Sequence, residues 1–148
     1  MKLSILDNAV KNIIQIIPQG IPPLLMRIGI FFVFWKSVQT KIDGADVAGQ
    51  SFAFWNVTGS TKMLFEYEYG LPMPEFMAYL GTFGEFFLSI ALLLGFMTRL
   101  SALGLLVMMA VIQYVYPGAW GLHLVWASIL LYLLRDGGGS FSLDKIIK

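Results

Sequence analysis

The stretch from Phe76 to Tyr116 reads FMAYLGTFGEFFLSIALLLGFMTRLSALGLLVMMAVIQYVY and carries only two charges, Glu85 and Arg99. A membrane-spanning helix needs about 20 mostly apolar residues, within a range of roughly 17–25. The stretch holds two such runs, about 76–97 and 100–116. They are joined by Met97-Thr98-Arg99, a connection so tight that it forces an antiparallel helical hairpin. Working outward, a third run covers about 24–40 and includes Arg27 and Lys36, and a fourth covers about 120–134 and includes His123. Tyr116-Pro117-Gly118 ends one run, because Pro removes a donor and Gly supplies turn geometry. Arg135-Asp136-Gly137-Gly138-Gly139 ends the last. Four spans are expected, with one long connection, 41–75.

Composition agrees. Hydrophobic residues make up 57% of the 148 residues and charged residues 13%, about half the ~25% usual in soluble domains. A single core of this size cannot hide that much apolar surface. A net charge of +1 leaves no electrostatic footprint for nucleic acid. The chain has no cysteine, which removes disulfides, thiol redox and thiolate metal sites. One histidine is too few for a histidine-built metal site, so no metal and no intrinsic cofactor is expected. No nucleophile–base pair or cofactor motif is visible either, and the isolated chain does not read as an enzyme.

Orientation follows from the cations near span ends. Lys2, Lys11, Arg27, Arg99, Arg135, Lys145 and Lys148 fall on one side, and Lys36, Lys41 and Lys62 on the other. Both termini are therefore expected in the cytoplasm and the long loop outside. Residues 1–20 read as an interfacial amphipathic helix: Leu3, Leu6, Val10, Ile13, Ile14 and Ile17 recur at helical spacing, opposite Lys2, Asp7, Asn8, Lys11, Asn12 and Gln15. Packing of that helix against the bundle is the alternative. At the other terminus Ser142 is placed to cap Leu143-Asp144-Lys145. The outer loop is too apolar to lie in water, with Phe52, Phe54, Trp55, Met63, Leu64, Phe65, Tyr67 and Tyr69. It either caps the bundle or docks a partner. The expected fold is all-α, a four-helix membrane bundle with an N-terminal amphipathic helix and an outer capping loop.

Ionisable groups within hydrocarbon are costly and so mark candidate sites. Glu85 sits about 13 Å into its span at ~1.5 Å per residue, between Lys36 and Arg27 in depth. Gln113 and His123 share the depth of Lys36, and Trp35, Tyr79 and Trp126 lie near the same level. One reading is an outward-facing pocket for a flat, weakly polar, quinone-like ligand, with Lys36 or His123 bonding a carbonyl and Glu85 exchanging a proton. The plainer reading is a structural ion pair between Glu85 and Arg27 or Lys36. Gly81, Gly84, Gly29, Gly104 and the Ala91-x-x-x-Gly95 spacing are read as close-packing positions between helices.

These motifs bear a family likeness. Arg27-Ile28-Gly29-Ile30-Phe31-Phe32 with Lys36 and Lys41-Ile42 resembles the first helix of the DoxX family of small bacterial membrane proteins. So do Leu71-Pro72-x-Pro74-x-Phe76-x-Ala78-Tyr79-Leu80, Gly84-Glu85, and Leu94-Gly95-x-x-Thr98-Arg99-Leu100-Ser101. The tail Gly138-Gly139-Ser140-Phe141-Ser142-Leu143-Asp144 is similar to the family's closing motif. The likeness covers about Pro22 to Lys148 and implies a four-helix bundle in the bacterial inner membrane. It also implies a non-catalytic subunit of a redox or stress-response assembly. The family name comes from a subunit of a thiosulfate:quinone oxidoreductase, which suggests a bound quinone. Relatives linked to thiol chemistry use cysteines, and this chain has none. The partners implied are the bilayer and other membrane or periplasmic subunits, or further copies of the chain. The alternative is a stand-alone binder or transporter of a quinone- or lipid-like molecule.

Overall fold

A computed structural model describes residues 2–147, with side chains described from residue 7 onward except residue 9. Seven α-helices run in order: α1 Lys2–Ile14, α2 Ile21–Gln39, α3 Gly59–Met63, α4 Pro74–Leu94, α5 Thr98–Val115, α6 Trp120–Asp136 and α7 Leu143–Ile147. A π-turn, Leu64–Glu68, extends α3, and a 3₁₀ turn, Pro117–Ala119, precedes α6. Four helical stretches are long and apolar enough to cross a membrane: Ile21–Gln39, Pro74–Leu94, Thr98–Val115 and Pro117–Asp136. They form a ring in which α4 packs on α2 and α5, and α6 packs on α5 and α2.

Local sequence sets the limits of these helices. Pro22 and Pro23 open α2 and Pro74 opens α4, where a missing N–H costs nothing. Gly95 ends α4 at φ +68, and its turn returns the amides of Gly95 and Phe96 to the carbonyls of Leu92 and Ala91. Inside the ring, Ile30, Phe34, Leu92, Ala102, Leu105, Met109, Leu130 and Leu133 form one buried cluster drawn from all four long helices. Leu100, Val107, Leu122, Leu124, Val125 and Leu131 face outward and exposed, as lipid-facing positions must.

The end of the bundle that carries both termini is sewn shut by the tail. Asp144 accepts the amides of Met97 (2.8 Å) and Thr98 (2.8 Å) at the start of α5, while its own amide donates to the Gly95 carbonyl (2.9 Å). The fully buried Arg27 donates from Nη1 to the Leu93 carbonyl (2.9 Å) and from Nη2 to the Phe141 carbonyl. A cation at the C-terminus of α4 also suits the helix dipole. A Cβ on Gly95 would lie 2.4 Å from Arg27 Nη1 and 2.5 Å from Ser142 Cβ, so this closure requires glycine there. Ser142 does not cap α7 through its side chain as expected. Its hydroxyl donates to the Gly139 carbonyl (2.7 Å), and the capping carboxylate belongs to Asp144, across the chain.

The opposite end is covered by the long connection, as expected of a capping loop. Residues 42 and 57 pair in an isolated bridge, and Gln39 brackets Ser51 by donating to its carbonyl (3.1 Å) and accepting its amide (2.7 Å). Phe54 then packs on Phe83, Phe86 and Phe87, and Phe52 on Trp35 and Phe86. The π-turn buries Phe65 against α4. Side chains described on α1 are exposed, including Val10, Ile13 and Ile14. The share of its apolar face assigned to Leu3 and Leu6 lies outside the described residues.

Candidate functional site

Between α4 and α5 lies an apolar groove of about 300 Å³. Its walls are Leu80, Leu88, Val107, Met108, Val111 and Ile112, its roof Phe65 and Tyr69, and Glu85 contributes the carboxylate. Glycines open it. A Cβ on Gly81 would meet Phe65 at 2.9 Å, one on Gly84 would meet Met108 Sδ at 3.1 Å, and one on Gly104 would meet Leu88 at 2.5 Å. The small residues at these three positions do bring α4 close to α5 and to the cap. Gly29, by contrast, has no neighbour within 4 Å of where its Cβ would sit, and Gly95 acts as a helix stop. Gly29 is therefore not a packing position, while the close approach at Gly95 is to Arg27 of α2 and to Ser142 of the tail.

Glu85 is 4% exposed and Lys41 8%. Lys41 Nζ donates to both carboxylate oxygens of Glu85, at 2.7 and 2.6 Å, and to Ser37 Oγ at 2.7 Å. This corrects the expected partner: Glu85 pairs with Lys41, not with Arg27 or Lys36. Arg27 is one helix length away from that role, committed to backbone carbonyls beside Asp144. Lys36 points outward and is exposed. The physical reason is directional. Lys41 follows the last turn of α2, and its side chain turns back toward that helix, where the ammonium also donates to Ser37, four residues earlier. A cation just past a span end is ordinarily read as a boundary residue, and that reading hid it.

The other expected site residues separate into different places. His123 is buried, its Nδ1 lies 2.5 Å from Gln113 Oε1, and its ring lies 5.3 Å from that of Trp126. Gln113 Nε2 donates to the Pro117 carbonyl (3.4 Å). This α5–α6 trio does not line the groove. Trp35 is buried, donates to Gln50 Oε1 (2.7 Å) and stacks on Phe31. Tyr79 lies beneath the Lys62 ammonium, 5.2 Å from the ring centroid. Lys62 is held above its usual pKa, chiefly by its hydrogen bond to Glu75. Of the seven residues expected to share one pocket, only Glu85 lines the groove.

Tyr69 is the roof residue that the sequence reading missed as a site candidate. It stacks flat on Phe65, with ring centroids 4.8 Å apart. Burial, reinforced by Tyr116 and the Glu85 and Glu68 carboxylates, pushes its phenol up to about 12, so it remains a hydrogen-bond donor at physiological pH. Tyr116 donates to Glu68 Oε2 and is likewise raised to about 12 by that bond. The groove thus offers an apolar slot, a carboxylate already held by an ammonium, and a phenolic roof. Among the described residues no three His, Cys, Asp or Glu side chains gather as metal ligands would.

Comparison with known families places this architecture. The DoxX family model matches residues 23–118, a span running from the first turn of α2 to the 3₁₀ turn before α6. This chain belongs to the DoxX family. It is a multi-pass membrane protein, with the helical bundle its family implies. Searches of curated proteins and of solved structures gave no match to this DoxX chain. The matched span contains Lys41, Glu85 and the whole groove, whereas Asp144 and the closing tail lie beyond it.

Proposed function

We propose that this DoxX chain is a non-catalytic membrane subunit that holds a flat, weakly polar hydrophobic molecule of the quinone type in the groove between α4 and α5. The observation that carries this reading is the groove itself: about 300 Å³ of apolar lining that includes a single carboxylate. A ring of that kind buries its faces against Leu80, Leu88 and Val107. Its carbonyl edge accepts from the Tyr69 phenol, and the hydroxyl of its reduced form donates to Glu85. Apolar pockets with a few convergent polar groups are the usual form of small-molecule sites. In this reading the chain serves as one component of a redox or stress-response assembly, as its likeness to the DoxX family implies. It lies in the bacterial inner membrane with both termini cytoplasmic, a placement supported by the seven-to-three division of cations.

The test is equilibrium binding of a short-chain quinone to the purified protein in nanodiscs. Val107 is exposed on the groove wall, so Val107→Trp fills the slot without emptying the core. We expect saturable binding to fall at least tenfold, about 1.4 kcal/mol, with thermal stability unchanged. Equal binding by Val107→Trp and wild type rejects the groove. A second reading, a stand-alone binder or transporter, draws on the groove's lipid-side position, which admits a ligand sideways without a partner. Native mass spectrometry separates the two: a stoichiometric partner marks a subunit, and a lone chain carrying the small molecule marks the binder.

A further inference from the structure

At the end that carries the termini, a second cavity of about 570 Å³ opens between the start of α5, the glycine run after α6, and α7. Arg99 and Lys145 line it, together with the backbone of Gly138, Gly139 and Ser140. Two carboxylates are also present, and both are already engaged. Asp144 caps α5, and Asp136 is held by Arg135 at 2.9 Å. With Arg27, which acts on Asp144, and Arg135, which holds Asp136, four cations stand around the cavity's two carboxylates. In the cavity wall Thr98 is fully buried, yet its hydroxyl has no hydrogen-bond partner among the described residues. The amides of Arg99 and Leu100 precede the first backbone bond of α5, Ser101 N–H to the Met97 carbonyl (3.0 Å), and so lack helical acceptors. In the cavity wall Met97 and Leu100 are exposed, and in the tail that follows the glycine run so are Phe141, Ile146 and Ile147. Donors at the centre and apolar side chains at the edge describe a site for an amphiphile with a phosphate anion.

We propose that this cavity binds the phosphodiester headgroup of an anionic phospholipid, with Arg99 and Lys145 pairing the phosphate and the apolar rim receiving the first acyl segments. The site is independent of the groove, at the opposite end of α5 from the cap. Position favours a lipid over a free phosphate: the cavity is flanked by the ends of two spanning helices, where headgroups reside. Basic pockets between spanning helices recognise anionic headgroups in this way.

The experiment is native mass spectrometry of the full chain titrated with short-chain phosphatidylglycerol, phosphatidylcholine or inorganic phosphate. Phosphatidylglycerol is expected to bind saturably and to outcompete phosphatidylcholine. The Arg99→Gln/Lys145→Gln pair should weaken it by about thirtyfold, roughly fivefold per cation. The single Lys145→Gln variant changes an exposed side chain, and it should give roughly fivefold on its own if the pair does not fold. Equal binding of the two lipids overturns the proposal, as does undiminished binding by the variants. Binding of inorganic phosphate as strong as that of phosphatidylglycerol also overturns it, by reassigning the site to a soluble anion.

Discussion

Two buried cations, both supplied by the α2 segment, are held in opposite ways. Lys41 ends on a carboxylate 44 residues away in sequence. Arg27 ends on two backbone carbonyls, Leu93 and Phe141. The first arrangement is a pair of complementary side chains, in which loss of either leaves a charge stranded in a low-dielectric interior. The second uses polarity that the fold already presents, at the C-terminus of α4 and in the tail. A carboxylate held by one removable partner beside a cavity can be redirected toward a ligand. A guanidinium woven into backbone at a closed end can only hold the end together.

The largest expected effect tests the first half of that contrast. Glu85→Leu strands the Lys41 ammonium, and unfolding in mixed micelles should show a loss of about 3–5 kcal/mol. Adding Lys41→Met should bring stability back to within about 1 kcal/mol of wild type, since a buried pair is often replaceable by apolar groups of like size. A double variant as unstable as the single would show that the pair is not the relevant unit. The closed end should respond less. Arg27→Met leaves two carbonyls unsatisfied and should cost about 2 kcal/mol. Asp144→Ala removes the acceptor for two α5 amides and should cost about 1 kcal/mol. If Arg27→Met proves the more damaging of the two substitutions at Arg27 and Glu85, the contrast is reversed. The smallest effect concerns the roof. The folded chain keeps the phenolic protons of Tyr69 and Tyr116 to about pH 12, whereas an unfolded chain releases them near 10. Their stabilising contribution is therefore whole below pH 10 and lost as pH rises toward 12. Tyrosinate absorbance should show two late-titrating groups, and Tyr69→Phe should remove one.

The bundle was legible because its signals are local. Apolar run length, the Met97-Thr98-Arg99 turn and the prolines that open α2 and α4 each act within a few residues. The site was legible only at Glu85, since a lone carboxylate in hydrocarbon stands out by composition. Its partner was not, because the depth of Lys41 depends on a side chain reaching back into the bundle and on a loop folded over it. Depth along a helix also gave no rotation around it. Lys36, Gln113 and His123 share a level, but Lys36 faces out and the other two face each other. The closing tail was recognisable as a motif, while its use of Asp144 to cap α5 rests on a contact 47 residues away.

The groove between α4 and α5 is the proposed ligand site. Its most direct test is photocrosslinking of a quinone analogue carrying a photoreactive group on its ring, with the protein in nanodiscs and the labelled residues mapped by peptide mass spectrometry. The expected result is saturable labelling of Leu80, Leu88, Val107 or Met108, competed by unmodified quinone and absent from Val107→Trp. Labelling confined to the His123–Trp126 region, or labelling that unmodified quinone does not compete, would contradict it.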